Sequence, residues 1–339
     1  MKKQMLWTPT RRELLLTGSI GLFAGCGGGG SVTPGATPTP IPTPTPGSTP
    51  TPTPSPVPSG RRERFGYVER TAGGYRLASV RTDGTDYQPV NMPEQPNVFY
   101  PSWSRNGHKI AYVVQDFVTN RYSLYTLNAD GSDHALYSEG LEPSWNATGT
   151  QLTFLTVHSQ TTPTPRNWMA IHAYDVVKKE QVFPLPGNSP PVIFEGGISA
   201  NTTLRRPLWR GDRKLSVSYS AQNLVDLSSS YGLLDYTTAT PSPILQSSSL
   251  GCLLYDTAPD DGMGIVRQGT KVYWLSGESL SLLKTTSNTG GGRFSPDGER
   301  LWIDLENGKG ARFYDRSLKD AGAPSNLPNS VIESWFFEA

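Results

Sequence analysis

The chain offers few side chains that could do chemistry. Its four histidines, His108, His134, His158 and His172, are scattered, and no pair of them has the close spacing of metal ligands. Ser281-Leu282-Leu283-Lys284 matches a Ser-x-x-Lys nucleophile pattern, but the companion Ser-Asp-Asn and Lys-Thr-Gly motifs are lacking. No nucleophile elbow, phosphate-cradling loop or dinucleotide fingerprint occurs. Asp260-Asp261-Gly262 reads as a hairpin turn rather than a pair of acids, and Gly290-Gly291-Gly292 as a connector. These residues name no catalytic group, no metal ligand and no cofactor site. Three kinds of residue remain. Cys26 follows an apolar run, whereas Cys252 opens one and reads as a buried, inert thiol. Arg205, Arg206, Arg210, Arg213 and Lys214 gather in one stretch, either as a solvated rim or as a site for an acidic partner.

Cys26 gains meaning from what precedes it. Lys2, Lys3, Arg11 and Arg12 lead into an apolar run from Leu14 to Ala24, too short to cross a bilayer as a helix. A basic start, an apolar middle and a small-residue exit make the layout of an export signal over residues 1–25. Phe23-Ala24-Gly25-Cys26 resembles the bacterial lipobox, which implies a diacylated Cys26. Two acyl chains hold a protein on a membrane where one binds marginally. Cys252 would then have no internal disulfide partner. Thr10-Arg11-Arg12-Glu13-Leu14-Leu15 resembles the twin-arginine export motif, with Arg11 and Arg12 as its pair; the general secretory route stays open. Gly27 is not the Asp that resembles an inner-membrane retention signal, so the expected place is the outer membrane and periplasm or the cell surface.

Residues 26–60 hold Cys26 and a Thr/Pro-rich linker, whose residues 31–60 mostly alternate Thr and Pro, as in Thr37-Pro38-Thr39-Pro40 and Thr49-Pro50-Thr51-Pro52. Proline lacks the amide hydrogen that helices and strands need, and no core can form from this composition. The segment reads as an extended tether reaching on the order of 90 Å at polyproline II rise. It also explains why only 35% of the chain is hydrophobic. The formal net charge is +1, and loss of the basic leader turns it slightly negative, so there is no basic field for nucleic acid.

The remainder, residues 61–339, is organised by a repeat. Tyr100-Pro101-Ser102-Trp103-Ser104-Arg105-Asn106-Gly107 precedes the alternating run Ile110-Ala111-Tyr112-Val113-Val114. A second run, Tyr122 to Leu127, ends at Asp130-Gly131. Alternation bounded by Asn-Gly and Asp-Gly signals antiparallel strands joined by tight turns. Glu142-Pro143-Ser144-Trp145, Pro207-Leu208-Trp209 and Arg293-Phe294-Ser295-Pro296-Asp297-Gly298 restate the unit. Trp103 to Trp145, and Phe294 to Trp335, are each separated by roughly 40 residues, the length of one four-stranded propeller blade.

These units resemble the WD-like repeats of TolB-type β-propellers, in which Pro-x-Trp-Ser-Pro-Asp-Gly precedes an apolar strand. The resemblance covers roughly Phe65 to Ala339 and implies protein partners in the cell envelope. The expected fold is all-β: a six-bladed propeller of four-stranded antiparallel blades, at 65–90 with the C-terminus, 98–137, 141–186, 205–246, 250–284 and 290–318. Phe65-Gly66-Tyr67-Val68 lacks an inner strand before it, and Ile332-Glu333-Ser334-Trp335-Phe336 supplies one, so the two ends are expected to close the ring. Trp168, Trp302 and Tyr273 read as strand residues packing between blades.

Two functions fit. One is a monomeric, membrane-anchored module that binds a protein partner. The other is a propeller enzyme or lectin-like domain acting on envelope peptide or glycan, which needs Asp, Glu or His side chains converging at the channel mouth. The short turns lie on one face. Longer connections, Gln88 to Phe99, Val157 to Trp168 and Pro184 to Arg206, lie on the other. Long unstructured connections are usually functional, so Phe194, Arg205 and Arg206 are the expected partner contacts.

Overall fold

A computed structural model describes residues 62–160, 166–182, 200–210, 214–223, 229–236, 242–247, 252–259, 263–268, 270–276, 279–285, 292–303, 312–317, 319–322 and 332–338. The described residues contain strands and turns and no helix. The first sheet takes β1 (Glu63–Arg70), β2 (Tyr75–Arg81) and β3 (Gln88–Pro89). The second takes β4 (Phe99–Trp103), β5 (Lys109–Asp116), β6 (Arg121–Asn128) and β7 (Ala135–Glu139). Then follow β8 (Leu141–Trp145), β9 (Gln151–Gln160), β10 (Arg166–Asp175) and β11 (Glu180–Gln181). β12 (Ala200–Arg210), β13 (Lys214–Asn223), β14 (Ser229–Tyr236) and β15 (Ser242–Ser247) continue the chain. The last groups are β16 (Cys252–Thr257), β17 (Met263–Gln268), β18 (Lys271–Ser276) and β19 (Ser279–Thr285), then β20 (Gly292–Phe294), β21 (Arg300–Ile303), β22 (Arg312–Asp315) and β23 (Asp320–Gly322). β24 (Ile332–Phe337) ends the series and pairs with β1.

The repeated turn has a physical cause. Ser104 Oγ accepts the Lys109 amide at 2.9 Å and donates to Asn106 Oδ1 at 2.7 Å. Ser295 does the same with the Arg300 amide and Asp297. In the second copy Asn146 replaces the serine, and its Oδ1 takes the amides of Thr150 and Gln151. Each turn thereby satisfies its own backbone and feeds a strand whose next residues, 110–113, 152–155 and 301–303, are buried on both faces. Gly131 shows why glycine is needed: its φ is 89°, and a Cβ there would lie 1.9 Å from the Asn91 carbonyl oxygen.

The inner strands β24, β4, β8, β12, β16 and β20 touch in that order and return to β24. The core lies between neighbouring sheets, where Trp103, Trp145, Trp209, Phe294 and Trp335 are all buried. Trp302 is buried on β21, Tyr273 is partly buried on β18, and Trp168 lies on β10.

The expected closure is present: Phe65 faces Trp335 and Gly66 faces Ser334 across the β1–β24 pair. The blade count needs correction. The strands form five sheets, not six: four of four strands and one of eight. The expected third and fourth blades merge because β11 covers only the Tyr174–Asp175 end of β10. The other end offers an open edge, and β12 pairs there in parallel, Trp168 with Thr202. Two connections read as loops are also partly strand. β9 and β10 stay in register out to Gln160 and Arg166, and β12 begins at Ala200 rather than near 205.

Candidate functional channel

Three successive inner strands carry the pattern x-Pro-x-Trp. Proline has no amide to give to the ladder, and a strand that contains one bulges. The pairing register breaks between Phe99 and Ser102, between Leu141 and Ser144, and between Arg205 and Leu208. The residue before each proline sits in the left-handed region: Tyr100 at φ 50°, Glu142 at 49°, Arg206 at 52°. For side chains of this size that conformation costs about 1–3 kcal/mol each and persists only where surrounding structure holds it. All three line one central cavity of about 110 Å³. Tyr255, Arg293 and Glu333 line it from β16, β20 and β24.

The cavity is charged, and most of its charges are engaged. Arg205 Nε donates to Glu142 Oε1 at 2.5 Å, and the Arg206 amide donates to Glu142 Oε2. Burial works against the Arg205 cation, but Glu142 and Tyr100 together lift the guanidinium above its ordinary value. Burial, and then Glu142, push the Tyr100 phenol up to about 12. Arg105 starts in the turn after β4 and reaches β16, which stands opposite in the ring. It bonds Asp256 Oδ1 at 3.1 Å, the Thr257 carbonyl, and the carbonyls of Phe294 and Ser295. It is a strut across the channel at the short-turn end. Asp256 also accepts the amides of Thr257 and Phe294.

Two arginines meet at Tyr255. Arg206 Nη1 and Arg293 Nη1 both donate to the Tyr255 carbonyl, at 3.4 and 3.2 Å. Arg206 also stacks over the Tyr255 ring at 5.0 Å. Arg293 Nε donates to the Glu333 carbonyl at 2.8 Å, while the Glu333 carboxylate stands 3.9 Å from Nη2. Burial first, and the charge of Arg206 next, pull the Arg293 guanidinium below its ordinary value.

Of the expected contact residues, Arg206 lines this cavity and Arg205 pairs with Glu142 beside it. Phe194, Cys26, Arg11 and Arg12 lie outside the described residues. The sequence reading missed Arg105, Glu142, Tyr255 and Arg293. Their signal was present: Glu142, like Arg206, precedes a proline in the repeat, and Arg293 precedes the aromatic anchor Phe294. The histidines stay apart from the channel lining. His158 and His172 share the Thr156 hydroxyl, and His134 bonds Tyr112. Among the described residues no three His, Cys, Asp or Glu side chains are grouped to hold a metal. Burial pushes the Cys252 thiol up to about 11, as befits a packed and unreactive cysteine.

No protein-family model matches the sequence, and no curated protein matches it. Solved structures do. The structure is similar to tricorn protease with a TM-score of 0.52 and 10% identity, over 77% of this chain and 30% of that one. It is similar to the propeller domain of the Trilobed protease from Pyrococcus furiosus with a TM-score of 0.50 and 11% identity, over 77% of this chain and 80% of that one. Hydrazine synthase of Kuenenia stuttgartiensis gives 0.52 and 13%, over 84% and 46%. The chain therefore spans about a third of tricorn protease. What these proteins share with it is the β-propeller fold. The Pyrococcus domain is described as having an open velcro topology; in this propeller β24 pairs with β1.

Proposed function

We propose that the protein is an exported, lipid-anchored module that presents a TolB-like propeller to a protein partner in the cell envelope. The signal over residues 1–25, Cys26 in its lipobox and the Thr/Pro tether support the anchored state. The WD-like turns support the TolB-like assignment. The observation that carries the binding role is the state of the channel carboxylates. Glu142 and Asp256 are each engaged by an arginine and by backbone amides, and Glu333 stands beside Arg293. Carboxylates held this way position their neighbours for recognition. The propeller acts as a monomer whose tether sets its reach from the membrane.

Cell fractionation of the wild type and Cys26→Ser tests the anchor. The wild type is expected in the membrane fraction, labelled by palmitate, and the variant as soluble protein or uncleaved precursor. Palmitate labelling that survives the substitution refutes the anchor. In-cell cross-linking from the propeller, followed by mass spectrometry, tests the module. A single recurrent envelope protein is expected, and glycan or no adduct refutes a protein partner.

A further inference from the structure

Arg206 is a half-buried cation that lines the cavity with no acid of its own among the described residues. Glu142 is taken by Arg205, and Asp256 by Arg105. The Glu333 carboxylate stands 3.9 Å from Arg293 Nη2. Among the described residues no carboxylate lies within ion-pair distance of the Arg206 guanidinium. It makes one hydrogen bond, from Nη1 to the Tyr255 carbonyl, and rests on the Tyr255 ring. Its Nε and Nη2 edge meets no acceptor among the described residues. Arg293, 8% exposed, turns its own Nη1 to the same carbonyl oxygen. Two like charges, one buried and one half-buried, thus converge on one neutral acceptor and repel each other. The left-handed backbone at Arg206, φ 52°, sits in the bulge from which this side chain lines the channel. A bound anion would relieve the repulsion.

We propose that Arg206 and Arg293, with Tyr255, form a receptor for a single carboxylate in the propeller channel. A guanidinium edge is planar and carries two parallel donors, which match the two oxygens of a carboxylate. One surplus cation balances one negative charge. The neighbouring Glu142, Asp256 and Glu333 would repel a dianion such as phosphate. A cavity of about 110 Å³ admits a carboxylate on a short side chain or at a chain end, and no folded domain. The ligand's source, a C-terminus or an acidic side chain of the partner, rests on the binding-module reading; its chemistry does not.

The test uses the full chain in detergent and small probes. Thermal unfolding is followed at constant ionic strength with propionate, propionamide or inorganic phosphate, each up to about 50 mM, since a ligand bound only to the folded state raises the midpoint. Propionate is expected to raise it, and propionamide and phosphate are not. Arg206→Gln should weaken propionate about tenfold or more, which is 1.4 kcal/mol per factor of ten. If that variant fails to fold, Arg206→Lys decides: it keeps the charge without the fork and should weaken propionate several-fold. Equal effects of propionate and propionamide, tighter binding of phosphate, or unchanged binding in Arg206→Lys each overturns the proposal. Acetylated tripeptides with a free C-terminus, amidated, or amidated with an internal Glu then identify the source. Propionate binding without a cross-linked protein refutes the module and leaves the receptor standing. Cross-linking that persists without propionate binding does the reverse.

Discussion

Trp103 and Phe336, from opposite ends of the propeller, stack face to face with centroids 5.6 Å apart and 4° between their planes. The Trp103 amide also donates to Ser334 Oγ at 3.1 Å, and Trp335 Nε1 donates to Glu63. Ring closure is therefore made by side chains as well as by the β1–β24 ladder. Deleting residues 332–338 should abolish cooperative unfolding. Trp335→Ala and Phe336→Ala, both at 3% exposed sites, should each cost about 3–5 kcal/mol. That is a large share of a total of about 5–15 kcal/mol. Urea unfolding followed by tryptophan fluorescence measures this, and a truncated chain with an unchanged midpoint contradicts it.

The same tryptophan fixes its neighbour across the ring. A Cβ on Gly66 would lie 2.5 Å from Trp103 Cε3, inside contact distance of a ring already stacked on Phe336. Gly66→Ala should cost about 1–3 kcal/mol by overpacking. Combined with Trp103→Phe, which shortens the ring at that face, the loss should fall short of the sum of the two single losses. A strictly additive double variant rules out the contact.

The fold was legible in the sequence because the repeat carries its own physics. Ser104-Arg105-Asn106-Gly107 and Ser295-Pro296-Asp297-Gly298 are turns whose side chains bond their own backbone, so their letters imply their shape. Closure followed from a missing strand at Phe65 and a spare one at Trp335. The merger of two expected blades was not legible. It depends on β11 being two residues long and on β12 running back to Ala200, lengths that local alternation does not specify. The channel was half legible. Arg206 stood out within a basic cluster, yet that cluster gave no sign of a channel. Which of its members carries an acid partner depends on Glu142, far away in sequence but adjacent in the ring.

His172 gives the stability a pH dependence of known sign. Burial, and next the charge of His158, hold its pKa below the ordinary value. The unfolded chain therefore takes up a proton near pH 6.5 that the folded chain refuses. The contribution of His172 is complete above that pH and is lost as the pH falls. Urea midpoints should drop between about pH 7.5 and 5.5, and His172→Phe should flatten part of the drop. Phenylalanine keeps the stacking on Phe154, at 5.0 Å, and cannot be protonated. An unaltered slope in the variant assigns the dependence to other groups.

Arg205 and Arg206 are adjacent in sequence and should behave oppositely. Arg205 neutralises Glu142, whose side chain is 7% exposed, so Arg205→Ala strands a buried carboxylate. Breaking such a pair costs about 3 kcal/mol at the lower end of its range, and the partial exposure of Arg205 favours that end. Glu142→Gln keeps the acceptor that the Arg206 amide uses while removing the charge. Glu142→Gln with Arg205→Met should therefore recover most of the lost stability. Arg206→Gln removes a cation that no acid among the described residues balances, and relieves Arg293. Its melting temperature should stay level or rise. Calorimetry on the three variants checks the contrast: destabilisation by Arg206→Gln as large as by Arg205→Ala would show that Arg206 is held for stability and not kept free for a ligand.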